Sequence, residues 1–432
     1  MELLFFGHHS YDFNIIFHKE IDMNVAIIGF GTRGQYYAYL FKKRNVNVTA
    51  VCDLDLQKLQ IAKNKYNIAD DNLFTDEKEF FGKGKIADLL VISTQDTDHY
   101  GHAVQGLKIG YDLLLEKPIA SNLKECIEIR DLSIQLNRKI FVCHVLRYAP
   151  FFSLIKKELD SGKFGKVVTI NMTENVSYWH QAHSYVRGSW RNSEKSTPMI
   201  IAKCCHDLDI IVWLTNSDCD YVSSYGELSY YKRENAPEGS ANYCYDCKYI
   251  EDCPYSADKI YIKDRAEKGR LNWPCNAVVP SPTTETLKSA LKHGQYGKCV
   301  FKCDNDVVDH QVVNMHFSNG ATASLTMTAF GDHSRIIFVH CEKGELYGYL
   351  EENKIYCDIF GKENYIVDTN SSKDVFSGHG GGDELMIEDV ISAMEGAQFS
   401  NLTSVAISMQ SHIIGFNAEQ SRLDNGRSIK LP

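Results

Sequence analysis

From residue 23 onward the chain alternates short continuous apolar runs with stretches in which apolar positions recur every three or four residues. Runs at 25–29, 48–52, 87–93, 112–116 and 140–144 predict buried strands, and the periodic stretches at 35–43, 56–66, 99–109 and 122–136 predict helices. Buried strands separated by amphipathic helices specify a parallel sheet with helices on both faces. Beyond Pro150 the pattern changes. A helix over 151–159 and a turn at 161–165 lead into a long alternating stretch over 167–176. Alternation returns at 307–317, 321–329, 335–341, 344–349 and 354–359, and helical periodicity at 383–396 and 404–425. An open, mostly antiparallel sheet with one apolar and one polar face accounts for these later strands.

The expected division is an N-terminal extension at 1–22, a first α/β domain at 23–148, and a C-terminal α+β domain at 149–432. Residues 232–303, rich in Cys, Tyr, Lys and Pro, read as an insertion with little strand pattern. The chain has 46 Lys and Arg against 56 Asp and Glu, a net charge of −10, and no long basic run, so nucleic acid is not expected as a partner. The most apolar internal stretch, 208–214, is far shorter than a bilayer span, so no membrane association is expected. The first 22 residues lack a basic start and a small-residue cleavage site, and Met23 stands directly before the first strand, so the leader reads as a loose extension rather than a signal peptide. Without an export signal, the 14 cysteines point to a reducing, cytoplasmic setting in which they are thiols or metal ligands.

The first apolar run opens into Gly29-Phe30-Gly31-Thr32-Arg33-Gly34, a Gly-x-Gly-x-x-Gly turn between a strand and a helix, and the second ends at Asp53. Such glycines allow a tight turn and let backbone N–H groups approach a pyrophosphate at a helix N-terminus. A carboxylate after the second strand bonds both ribose hydroxyls and repels a 2′-phosphate, which favours NAD over NADP. The first domain is therefore expected to be a Rossmann dinucleotide-binding domain. Glu116-Lys117-Pro118 ends the strand at 112–116, on the sheet edge where open α/β sheets bind ligands. A lysine there, beside a nicotinamide, can position a hydroxyl and relay its proton.

With these motifs the chain resembles the glucose-fructose oxidoreductase, inositol dehydrogenase and rhizopine catabolism family (Gfo/Idh/MocA) over about residues 23–432. The resemblance is carried by the glycine turn, by Glu116-Lys117-Pro118 and by His206-Asp207-Leu208-Asp209. Ser93-Thr94-Gln95-Asp96-Thr97-Asp98-His99 is similar to the family's Thr-Pro-Asn-x-x-His segment along the cofactor, which implicates Thr94, Asp96 and His99. The resemblance further implies a catalytic Lys117, a cis bond to Pro118, and a substrate-side His206. One departure stands out. The family's dehydrogenases usually carry an aspartate four residues before this histidine, where this chain has Ala202 followed by Lys203. If the segment is helical, Lys203 lies one turn before His206 and can face the same pocket.

Trp179, His180 and His183 follow the first strand of the second domain, where the resemblance places substrate contacts, and an aromatic ring there can stack on a sugar face while imidazoles bond its hydroxyls. Arg187, Trp190 and Arg191 are candidates for the pocket rim. His379 lies in the glycine-rich stretch 376–384, which resembles a pocket-closing loop, with Asp383 a candidate N-cap. Least expected is the cysteine set: Cys244 and Cys247 as Cys-x-x-Cys, Cys253 after five intervening residues, Cys275, then Cys299 and Cys303. Cys244, Cys247 and Cys253 with Cys303 or Cys299 suffice for a structural zinc or an iron–sulfur cluster.

Three functions fit these readings: an NAD-dependent dehydrogenase of a sugar or polyol, a glycoside-cleaving enzyme that oxidises and re-reduces its substrate on retained NAD, and a non-catalytic sensor of NAD or sugar. The resemblance also implies a homo-oligomer formed through the exposed face of the open sheet.

Overall fold

A computed structural model describes residues 23–369, 380–397 and 403–432. The extension at 1–22 and His379 lie outside the described residues. The first sheet contains β1 (Asn24–Ile28), β2 (Asn47–Cys52), β3 (Leu73–Phe74), β4 (Leu89–Ile92), β5 (Asp112–Leu115) and β6 (Ile140–Val142). All pairings are parallel, in the order β3-β2-β1-β4-β5-β6. Chain order reverses between β1 and β4, and the crevice beyond the strand ends at such a switch point is the place where this architecture accepts a dinucleotide.

Both faces of the sheet are covered, as its continuous apolar strands require. Val25, Ile27, Val51 and Val91 pack against the helix Thr32–Lys43 and, from the far end of the chain, Gly382–Met394. On the other face, Ile28, Leu90, Leu113 and Leu115 meet helices His99–Ile109, Leu123–Gln135 and Val405–Leu423. Local signals set the boundaries: Asp55 and Asn122 cap their helices by accepting from Gln57 and Glu125 backbone N–H groups, and Gly110 ends another in the left-handed conformation.

The second sheet has nine strands: β7 (Val167–Asn175), β8 (Cys219–Glu227), β9 (His310–Phe317), β10 (Thr322–Thr328), β11 (Ser334–Cys341), β12 (Gly344–Tyr349), β13 (Lys354–Ile359), β14 (Tyr365–Asp368) and β15 (Ile429–Lys430). Their order is β14-β13-β12-β11-β7-β10-β9-β8-β15, antiparallel except for the β7–β10 pair. The expected fold class is thus observed, with one parallel pairing inside the open sheet. The inner face packs on helices Pro150–Asp160, Cys205–Thr215 and Val405–Leu423. Residues 232–303 form short helical turns, the helix Thr284–His293 and a single bridge between Tyr243 and Lys298, around a small core containing Tyr231, Tyr261, Leu287 and Leu291.

Candidate active site

The glycine turn has the shape its residues predict. Gly29 sits at φ +88°, where a side chain would also collide with the Ser93 carbonyl, and a Cβ on Gly34 would come 2.1 Å from the Gly29 oxygen. A Cβ on Gly31 would meet nothing within 4 Å, so this middle glycine faces open space. Gly31 precedes the helix Thr32–Lys43, whose N-terminal N–H groups receive no side-chain cap and are available to an anion. Asp53 follows β2, and its carboxylate accepts from the backbone N–H groups of Phe30 (2.7 Å) and Asp55 (2.9 Å), with Lys58 Nζ at 3.3 Å. Open backbone at Gly31, uncapped helix N–H groups and an anchored acid beside the turn fit a dinucleotide.

Other expected cofactor residues have their side chains committed elsewhere. Arg33 bonds Glu116 and Asp383, each at 2.6 Å, and Glu116 also accepts from Tyr37 Oη (2.6 Å) and the Lys117 N–H (3.0 Å). This buried network ties the helix after β1 to the end of β5. The Arg33 and Tyr37 donors hold Glu116 below the usual carboxylate range against the cost of its burial. Thr94 Oγ1 meets His102 Nδ1 at 3.1 Å. Asp96 is buried and turned to the second domain, accepting from Trp190 Nε1 (3.1 Å), Ser196 Oγ (3.1 Å) and Thr197 Oγ1 (2.8 Å). His99 Nδ1 meets the Pro118 carbonyl at 2.7 Å.

The Lys117-Pro118 bond is cis, as the resemblance implied. Lys117 Nζ crosses to the second domain and donates to the Ala202 carbonyl at 2.9 Å. Two helices meet there, Met199–Ala202 and Cys205–Thr215, and His206 lies buried in the first turn of the latter. Its ring stands edge-on to His144, with centroids 5.8 Å apart, and His144 in turn meets His412 at 5.7 Å. His412 Nε2 accepts from the Ile119 N–H (3.0 Å) and its Nδ1 reaches Ser408 O (2.9 Å), which pins the loop after Pro118 to the helix Val405–Leu423. Burial holds His144 near a pKa of about 4 and His412 near about 3, so both rings are neutral. Asp209 closes the group with a bidentate bond to Arg147 at 2.6 and 2.8 Å.

Lys203 takes another direction, because the chain is not one helix there: it lies in the break between the two helices and pairs with Glu174 at 2.9 Å. Glu174 ends the inward-facing row of β7, directly opposite Arg335 of β11, whose Nε lies 2.7 Å from Glu174 and 2.8 Å from Asp207. Two cations and two carboxylates are thereby buried together. Burial, with Glu174 nearby, raises Asp207 to about 6 against the pull of Arg335. Glu174 and Arg335 were not singled out from the sequence, and Asp207 entered only as part of the His206-Asp207-Leu208-Asp209 motif. For Glu174 and Arg335, charges at inward positions of otherwise apolar alternating strands were the available signal.

Trp179 and His180 stack at 5.5 Å beside Trp273, and Arg265 lies over the Trp179 ring at 4.1 Å. His180 Nδ1 is buried without a partner, and burial with Lys203 nearby drives that ring well toward neutrality. This wall of indole and imidazole adjoins the Lys203–Glu174 pair. His183 points away: it bonds Tyr261 Oη at 2.7 Å and stacks on Tyr296, at the seam with the insertion. The three rim candidates do not converge either. Arg187 is buried beneath the cysteines, Trp190 bonds Asp96, and Arg191 bonds Asp304 at 2.7 Å.

Cys244, Cys247, Cys253 and Cys299 line one cavity, whereas the Cys303 thiol is directed to the Cys299 carbonyl at 3.4 Å. Among the described residues no group of three or more His, Cys, Asp or Glu side chains is placed to hold a metal ion. No helix among them is long and apolar enough to cross a membrane.

Two family profiles match this chain: an oxidoreductase family NAD-binding Rossmann fold over residues 23–144, and an oxidoreductase family C-terminal alpha/beta domain over residues 156–422. The Bacillus subtilis protein YteT is 24% identical over 379 residues, 79% of this chain and 81% of that one. An inositol 2-dehydrogenase/D-chiro-inositol 3-dehydrogenase of Lactiplantibacillus plantarum is 28% identical over 197 residues, 45% of this chain and 53% of its own length. The chain thus spans about half of that enzyme. Levoglucosan dehydrogenase in complex with NADH and levoglucosan shares the fold, with a TM-score of 0.68 over 95% of this chain and 99% of that one at 15% identity.

Proposed function

The chain belongs to the Gfo/Idh/MocA oxidoreductase family, and from that premise we propose that it transfers hydride between NAD and a hydroxyl-bearing carbon of a sugar or polyol. The observation that carries this reading is the meeting of Lys117 with the His206 segment across the domain junction, at the C-terminal edge of the first sheet. Bound NAD supplies the hydride acceptor, and the residues that would hold it are the turn 29–34, Asp53 and the Thr94 segment. Asp53 supports NAD rather than NADP, since a carboxylate after the second strand would repel a 2′-phosphate.

Lys117 and His206 handle the proton. The ammonium, held by the Ala202 carbonyl, donates to the substrate hydroxyl oxygen and orients it, and the imidazole is the general base. The neutral rings of His144 and His412 pack behind His206 without adding charge. Trp179 and His180 offer a stacking face and a buried, unpartnered ring nitrogen to the sugar, with Lys203 and Glu174 at its edge. The relatives' names point the same way, toward inositol and levoglucosan. A second copy of the chain is read as covering the outer face of the larger sheet, where Phe338, Tyr347 and Tyr356 stack.

The second reading, redox-neutral glycoside cleavage on retained NAD, is favoured by one feature. Lys117 donates to the backbone carbonyl of Ala202, the residue that stands where the family's dehydrogenases usually carry an aspartate. A panel of polyols, sugars and aryl glycosides, read together for NADH and released aglycone, separates the two. NADH formation supports the dehydrogenase, aglycone release without net NADH supports cleavage, and neither signal from any compound refutes both.

A further inference from the structure

We infer that the insertion carries a [4Fe–4S] cluster held by Cys244, Cys247, Cys253 and Cys299, a site separate from the nicotinamide pocket. The four cysteines come from two distant stretches, 244–253 and 299, brought together by the Tyr243–Lys298 bridge and the bond from the Cys299 N–H to Asn242 O (2.9 Å). All four line one cavity of about 270 Å³. They also lie within electrostatic reach of each other: Cys244 and Cys299 act on Cys253, and Cys244 and Cys247 act on Cys299.

The arrangement suits a cluster better than a single ion. Zinc draws thiolates to about 2.3 Å from one point, and no such convergence exists among the described residues. Here the four cysteines line a cavity instead, which leaves room for a cubane between them. The cysteines alone do not decide the case, because free thiols also gather in cores. Arg187 is the independent observation. Its side chain is fully buried, an arrangement that is costly unless a negative charge lies close by. Its Nε and Nη2 donate to the Lys298 and Tyr255 carbonyls, each at 2.7 Å, and Nη2 also lies 3.5 Å from Cys244 Sγ. Its Nη1 is buried without any acceptor, and the residue forms part of the cavity wall. An anionic cluster with four thiolates supplies both the missing charge and sulfur acceptors for that N–H, and hydrogen bonds of this kind tune such clusters. Tyr230, Tyr255 and Phe301 complete a largely apolar wall.

The position gives the cluster a structural task. It joins the two stretches of the insertion to Arg187, and Arg187 lies on the same helical segment as His183 and a short way along the chain from the Trp179–His180 wall. The inference is independent of the proposed dehydrogenase activity and is tested without it. The full chain, purified anaerobically and reconstituted with ferrous iron and sulfide where needed, is expected to contain about four iron and about four acid-labile sulfide per chain, with a visible charge-transfer band bleached by dithionite. Cys247→Ser and Cys299→Ser should lose most of the iron and sulfide, whereas Cys303→Ser should retain the wild-type content. The wild-type stoichiometry decides the matter even if a serine variant fails to fold. About one zinc per chain without sulfide, or a reconstituted chain with no metal and four thiols open to alkylation, would overturn it.

Discussion

The ammonium of Lys117 donates to the carbonyl oxygen of Ala202, 2.9 Å away on the opposite domain. A backbone acceptor cannot take up a proton, so this bond fixes the direction of the ammonium without neutralising its charge. Its donors remain directed at the junction, where a substrate hydroxyl would lie. Replacing Lys117 with Met keeps the bulk and removes the donor. The expected outcome is a fall in kcat of roughly 10²–10⁴, the usual contribution of a positioned acid–base group. NAD affinity, measured by titration calorimetry, should be unchanged, because the glycine turn and Asp53 do not touch this side chain. Equal losses in binding and turnover would remove Lys117 from the chemistry.

Asp53 should govern the choice of dinucleotide. Its carboxylate anchors the turn through Phe30 and Asp55, and Lys58 Nζ stands 3.3 Å away. Asp53→Ser removes the charge that repels a 2′-phosphate and releases Lys58 to bind one. A lost hydrogen bond to a charged group costs about 1.5–3 kcal/mol, so KM for NAD should rise by about 10- to 100-fold while NADP becomes usable. Steady-state kinetics with both dinucleotides give the ratio. An unchanged preference would show that Asp53 serves the turn alone.

Acid should destabilise the fold before its carboxylates titrate. Burial lowers His144 to about 4 and both His183 and His412 to about 3, whereas in the unfolded chain each titrates near 6.5. Between about pH 6.5 and 4 the unfolded chain therefore binds more protons than the native one, and stability falls with pH by up to about 1.4 kcal/mol per unit for each histidine. Asp207, raised to about 6, works in the opposite sense. Its native carboxyl binds a proton that the unfolded one gives up until near pH 4, which offsets one histidine but not three. Urea midpoints should fall steadily from pH 7 to pH 5, and His412→Asn should flatten that slope. A flat profile in the wild type would show that these rings titrate normally.

The first sheet was legible because buried parallel strands announce themselves as continuous apolar runs, and the glycine turn because its backbone geometry admits few substitutes. β8 was not, since Cys-Asp-Tyr-Val-Ser-Ser-Tyr-Gly-Glu is too polar to stand out, and β3 and β15 have only two residues each. At the site, the sequence led to Lys117 and His206 but not to the partners that surround them. The break between helices Met199–Ala202 and Cys205–Thr215 turns Lys203 toward Glu174, which helical spacing could not foresee. Arg187, Trp190 and Arg191 look like one cluster along the chain, yet the wide-turn helix Gln181–Arg187 and the kink at Trp190 send them in three directions. Pairing across 161 residues, which sets Glu174 against Arg335, leaves no trace in either strand taken alone.

That pairing supports the last prediction. Arg335 lies between Glu174 and Asp207, at 2.7 and 2.8 Å, and Lys203 alone would remain to balance two buried carboxylates in its absence. Breaking a buried ion pair from one side costs about 3–5 kcal/mol, because the orphaned charge stays in a low dielectric. Arg335→Met should therefore lose about that much stability in urea unfolding. Removing charge from both strands, as in Arg335→Met with Glu174→Gln, leaves Lys203 to face Asp207 alone and should recover part of the loss. The pair of variants separates packing from charge: a double variant no more stable than the single one would mean that the methionine fails to fill the space of the guanidinium, and the electrostatic account of this quartet would fall.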